Sequence, residues 1–183
     1  DDISKQFQLG FSPNSGNGLL KILRKESFSS EAMKLSGLIT KSDKGYFDRF
    51  RSRIMFPIQN QQGDYIAFGG RYLIDDGYGK YQNSPETPIY YKSNVLYGLN
   101  HNIQEIRTKK EIILVEGYMD LIQLVQAGIT NCLATCGTAF TDGHANILKR
   151  FTNKIYITYD GDDTGQKDAI FKFDIRPQFS FAV

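Results

Sequence analysis

The chain is poor in the side chains that usually build metal and redox sites. Its 183 residues hold two cysteines, Cys132 and Cys136, and two histidines, His101 and His144. The cysteines sit in an apolar stretch with no second pair of zinc ligands nearby. That excludes a structural zinc site and predicts buried free thiols in a reducing compartment. His144 falls in a predicted helix and His101 in a predicted loop, neither with ligand spacing, so both read as structural. No apolar run approaches the roughly 20 residues needed to cross a bilayer, which excludes a membrane-spanning segment. A secretory leader is also missing and residue 1 is Asp rather than Met, so the sequence reads as a piece of something longer.

What is present is a core and an uneven charge. Apolar residues make up 40% and charged residues 23%, enough for one ordinary domain or two small ones packed together. Residues 1–110 carry 16 Lys and Arg against 11 Asp and Glu, while residues 111–183 carry 6 against 9. A basic half joined to an acidic half suits a polyanion on one side and divalent cations on the other.

Residues 1–50 are predicted to form short helices. One spans Asn17 to Lys25 on an apolar face of Leu19, Leu20, Ile22 and Leu23, and another follows an N-cap at Ser29-Ser30-Glu31. From Arg49 the period changes to two. Phe50, Ile54, Phe56 and Ile58 mark a strand, Gln61 to Asp64 a turn, and Tyr65 to Leu73 a returning strand. Arg49, Arg51 and Arg53 alternate, so an extended chain puts all three on one face. Gly69-Gly70-Arg71 follows, then Lys80 to Glu86 and Lys92. Paired glycines in a strand mark a close approach by another backbone or a ligand. Arginine, lysine and asparagine beside tyrosines suit phosphates and single-stranded bases. The competing reading is a solvated basic sheet face.

After Lys110 strands and helices alternate: Ile112 to Val115, Tyr118 to Ala127, Cys132 to Thr135, Asp142 to Phe151, Ile155 to Tyr159, Gly165 to Phe173, and a strand beginning at Phe179. This order predicts a parallel sheet covered by helices, with ligands outside the carboxyl ends of the strands. Glu116 and Asp160 fall at those ends. Asp160 and Asp162 lie two apart across Gly161, and Glu116 and Asp120 four apart at a helix start. Clustered carboxylates repel one another, and a divalent cation removes that penalty. The competing reading is helix capping, which accounts for Asp120 and Asp163 more easily than for Glu116, Asp160 and Asp162 together. Gly137-Thr138, after a strand end, is positioned to bring backbone amides near that rim or to form a plain turn.

Glu116-Gly117 after one strand and Asp160-Gly161-Asp162 after a later one resemble the Toprim domain of primases, topoisomerases and some nucleases. The stretches V-E-G-Y-M-D (115–120), Y-D-G-D (159–162), R-F-R-S-R-I-M-F-P-I (49–58), F-G-G-R (68–71) and K-Y-Q-N-S-P-E-T (80–87) narrow the resemblance. In this order they look like the RNA polymerase core of bacterial DnaG-type primases, over essentially the whole chain. The resemblance implies an α/β fold: a basic mixed α/β subdomain over residues 1–108, then a Toprim-like parallel sheet flanked by helices over residues 109–183.

It further implies synthesis of short RNA primers from nucleoside triphosphates on single-stranded DNA, in the cytoplasm of a bacterium and with no membrane partner. Glu116, Asp160 and Asp162 would hold Mg²⁺, for which Mn²⁺ can substitute, with Asp120 beside them in the catalytic set. Arg71, Lys80 and Asn83 would line the surface handling template and nucleotide, and Arg51 and Arg53 are further candidates for it. Zinc and the replicative helicase would bind modules of such primases that are absent here. The family's third acidic motif, D-P-D, is expected just beyond Val183, so weak or no primer synthesis is expected of this fragment alone. The alternatives are a DNA-binding Toprim module without catalysis and a Toprim nuclease or topoisomerase. None of the eleven tyrosines has the context of a strand-cleaving nucleophile.

Overall fold

Short polar-apolar alternations and weak helical stripes build the first part of the chain. In the computed structural model, residues 2–43, 45–74 and 79–159 are described. They fall into two units, Asp1–Ile58 with Tyr65–Tyr91, and Gln59–Asp64 with Lys92–Val183.

The first unit contains helix α1 (Asp2–Gln6), strand β1 (Gly10–Ser12), helices α2 (Gly18–Lys25) and α3 (Ser30–Leu35), and strands β2 (Ile39–Ser42), β3 (Gly45–Asp48), β4 (Arg53–Gln59), β5 (Tyr65–Tyr72) and β6 (Tyr81–Asn83). The helix expected from Asn17 is present. So is the one after Ser29, whose hydroxyl accepts from Ala32 N at 3.0 Å. The expectation of helices throughout residues 1–50 is wrong in three places. Gly10–Ser12 is a strand, and Ile39–Ser42 and Gly45–Asp48 pair antiparallel as a hairpin. Asp48 ties this hairpin to α2. Only 5% exposed, its carboxylate accepts from Leu19 N at 2.8 Å and from Leu20 N at 2.9 Å. It thus satisfies two of the donors that a helix start leaves open. Leu20, Met33 and Ile39 form a small core under these elements.

The other sheet of this unit runs β1-β4-β5-β6. Its central strand begins at Arg53, later than the expected Arg49, because Ser52 takes a left-handed φ of 53° that breaks the extended run.

The second unit contains α4 (Leu99–Lys109), β7 (Ile112–Val115), α5 (Tyr118–Gln126), β8 (Cys132–Ala134), α6 (Asp142–Leu148) and β9 (Ile155–Thr158). The strands lie in the order β8-β7-β9 and both pairings are parallel, as alternation of buried strands and amphipathic helices dictates. Ile106, Ile112, Leu114, Leu133, Ala145, Leu148 and Ile155 form its core. His101 lies in helix α4, not in the expected loop. His144 is fully buried; its Nδ1 accepts from Thr141 N and its Nε2 lies 2.9 Å from the Lys92 carbonyl. Those partners set the neutral tautomer with the proton on Nε2. Both cysteines are buried free thiols. Among the described residues no helix is long and apolar enough to cross a membrane. The helix expected at Gly165 and the strand expected at Phe179 lie outside the described residues.

Candidate functional site

The first unit gathers its arginines around one concavity. Arg49, Arg51 and Arg53 line it together with Asn14, Ser52, Tyr72 and Gln82, enclosing about 290 Å³. The three converge although only Arg53 belongs to a strand. Arg53 is 9% exposed. Its Nη1 donates to the carbonyls of Gly70, Gly79 and Lys80, each at 3.3 Å, and its Nη2 to that of Gly79 at 3.3 Å. The guanidinium also stacks 5.2 Å from the Tyr72 ring centroid. Arg49 donates from Nε and Nη2 to the Asn83 carbonyl at 3.3 and 3.2 Å. Burial lowers the pKa of both groups. Arg51 is exposed and rests 5.2 Å over the Phe47 ring. Arg53 therefore braces the β5–β6 connection, and Arg51 is the candidate whose charge faces outward. Arg49 was part of the alternation, but its grip on Asn83 was not legible in it.

The β5–β6 register separates the remaining candidates. Arg71 pairs with Tyr81, Gly70 with Gln82 and Gly69 with Asn83. Because side chains alternate between faces, Arg71 and Asn83 share one face, while Tyr72 and Gln82 share the face with the concavity. Arg71 is half-buried, and its Nε has no hydrogen-bond partner among the described residues. Lys80 is exposed just before β6.

The second glycine of the pair has a packing reason. A Cβ on Gly70 would lie 2.9 Å from both Arg53 Cδ and Phe50 Cδ1, so the close neighbour is side chain rather than ligand. Much of the 80–87 stretch is likewise structural. Ser84 Oγ accepts from Phe68 N at 3.0 Å, and Pro85 packs where a Cβ on left-handed Gly37 would approach to 2.9 Å.

In the second unit Glu116 follows the last residue of β7, at the carboxyl end of the sheet's central strand, and is half-buried. The chain leaving β8 curls over this rim through two consecutive left-handed residues, Cys136 (φ 52°) and Gly137 (φ 76°). As a result Thr135 N donates to Val115 O at 3.3 Å and Cys136 N to Glu116 O at 2.8 Å. A backbone amide does reach the rim there, from Cys136 rather than from Gly137-Thr138. Below it, Tyr118 is buried and packs edge-to-face on Tyr97, with ring centroids 4.8 Å apart. Asp120, exposed in the first turn of α5, accepts from Gly117 N at 3.0 Å.

On the other side β9 lies beside β7, with Val115 paired to Thr158. Thr135 Oγ1 reaches the Tyr159 hydroxyl at 3.4 Å. Asp160 and Asp162 lie outside the described residues. Among the described residues no three His, Cys, Asp or Glu form a group that could hold a metal ion. The carboxylate oxygens of Glu116 are hard donors of the kind Mg²⁺ takes, while Asp120 spends one of its own on the Gly117 amide.

Residues 1–103 match the family described as DNA primase catalytic core, N-terminal domain, and residues 110–176 match the Toprim domain. The DNA primase of Pseudomonas aeruginosa is 47% identical over 170 residues, covering 92% of this chain and 26% of that protein. The chain therefore spans about a quarter of the length of that curated relative. A crystal structure of a DNA primase domain from Pseudomonas aeruginosa superposes with a TM-score of 0.88 at 41% identity, covering 99% of this chain and 58% of the other. The RNA polymerase domain of Mycobacterium tuberculosis primase, in complex with a double-stranded DNA oligomer with a 6-nucleotide overhang, does so with 0.88 at 33% identity, over 100% and 61%. The parallel β8-β7-β9 sheet with its acid at the strand end, the antiparallel sheet of the first unit and these matches agree, and the chain belongs to the DnaG-type DNA primase family as part of its catalytic core.

Proposed function

We propose that this chain carries the template-binding and acidic surfaces of a primase that builds short RNA primers from nucleoside triphosphates on single-stranded DNA. The observation that carries the reading is Glu116 at the carboxyl end of the central parallel strand, with β9 beside it and running toward Asp160 and Asp162 in the sequence. Glu116, Asp160 and Asp162 would hold a divalent cation, with Asp120 bonded to the backbone behind Glu116. When bound, the cation supplies charge stabilisation at phosphate oxygens and lowers the pKa of a coordinated hydroxyl.

The chain's own residues do the rest. The rim formed by Glu116 and the Cys136 amide keeps the acid at a fixed place. Exposed Arg51 and the concavity it shares with Arg49 and Arg53 attract the phosphates of the template. Arg71, Lys80 and Asn83, on or beside the two strands whose Tyr72 and Gln82 line the concavity, are the candidates for the incoming nucleotide. The overhang-bearing DNA held by the mycobacterial relative supports a nucleic-acid role for the basic surface.

A primer-synthesis assay on single-stranded template, run in the complete primase that carries this core, tests the reading. Glu116→Gln is expected to lower the rate by about 10²–10³ with Mg²⁺ or Mn²⁺. Synthesis that survives this change would sink the assignment of Glu116. Template affinity should fall steeply with added salt, since released counterions dominate phosphate binding.

A further inference from the structure

The peptide that joins Glu116 to Gly117 is held at both of its polar atoms. Its carbonyl oxygen accepts from Cys136 N at 2.8 Å, and its N–H donates to Asp120 Oδ2 at 3.0 Å. A peptide unit is planar, so two bonds on opposite sides leave it little freedom to rotate. The direction of the Glu116 side chain depends on the backbone dihedrals beside that plane. Gly117 has φ −121° and ψ 168°, a conformation open to any residue, so the glycine is not required for its dihedrals. Space gives the reason: a Cβ at Gly117 would lie 3.0 Å from Asp120 Oδ2, pushing the carboxylate off its donor.

We infer that Asp120 is a positioning residue for Glu116, acting through the Gly117 amide, and not a ligand of the metal. The inference rests on the reading of Glu116 as a metal ligand. Groups behind a ligand that orient it are worth about 10–100-fold in metal affinity or activity. A clamp and a ligand also make opposite demands on the side chain. The amide oxygen of asparagine accepts from an N–H as well as a carboxylate does geometrically, but it lacks the charge a cation draws on.

The test compares Asp120→Asn, Asp120→Ala and Glu116→Gln in the complete primase. Mn²⁺ affinity is read by the paramagnetic resonance of free Mn²⁺, and amide exchange is read over residues 112–121. Asp120→Asn is expected to keep Mn²⁺ affinity and primer synthesis within about threefold, the scale of one neutral-for-charged hydrogen bond. Asp120→Ala is expected to lose about 10–100-fold in both, with faster exchange across residues 112–121. The inference is overturned if Asp120→Asn weakens Mn²⁺ binding as much as Glu116→Gln does, or if Asp120→Ala leaves exchange unchanged. Mn²⁺ binding that survives Glu116→Gln would instead remove the metal reading, while the exchange data judge the clamp independently.

Discussion

Arg51 and Arg53 are two residues apart in one basic motif, and their surroundings separate them. Arg53 is enclosed by three backbone carbonyls and a tyrosine ring, which only a planar fork of donors can serve at once. Arg53→Lys is expected to destabilise the protein by about 2 kcal/mol in urea unfolding, the scale of hydrogen bonds to a charged group. Arg51→Ala should leave stability within about 0.5 kcal/mol, as exposed positions do. It should lower affinity for single-stranded DNA and reduce the salt slope by about one.

The two thiols make a pH prediction. Burial pushes Cys132 from 9.0 up to about 11, and raises Cys136 well above its ordinary range. Because the unfolded thiols ionise first, the folded state holds more protons above pH 9, so stability falls as pH rises from there toward 11 and is unaffected below it. Urea midpoints measured between pH 8 and pH 11 check the sign. Neither thiol should react with a disulfide reagent at pH 8 until the protein is unfolded.

At the scale of elements, local pattern was a good guide where strands are buried on both faces. Ile112–Val115, Cys132–Ala134 and Ile155–Thr158 are continuous apolar runs bounded by helix starts, and the expected ends differ from the observed by at most one residue. The expected carboxyl-end position of Glu116 followed directly. The misses have physical reasons. Helix α4 starts at Gly98 in a left-handed conformation with no side-chain cap, so the usual start signal is missing. Its apolar stripe of Leu99, Ile103 and Ile106 is interrupted by buried Asn102, whose Nδ2 donates to Cys132 O at 2.7 Å. The β2–β3 hairpin has strands of four residues each, too short for a period of two to stand out. Its buried acid, Asp48, completes α2 from 28 residues away, a contact no local window contains. The same limit hid the bond from Arg53 to the Gly70 carbonyl. Asp48→Ala leaves two helix-start amides without their acceptor and is expected to cost about 2–3 kcal/mol. Helix content measured by circular dichroism should fall with it; a midpoint equal to the parent's would refute the capping role.

For the whole molecule, the order in which strands arrive matters as much as where they end. β7 is the middle strand of its sheet, yet one of its two neighbours, β9, follows it by some forty residues in the chain. Parallel strands can pair only after a long crossover, so distant contacts must close before this sheet is complete. On the ribosome, Ile112–Val115 has a bare edge until Ile155–Thr158 emerges. An uncovered apolar edge is a template for pairing with another copy. Chains stopped before Ile155 are expected to collect as aggregates in light scattering, under conditions where the 183-residue chain stays dispersed. Strand β9, by covering the free edge of the strand that leads into Glu116, would then also shield the nascent chain from self-association.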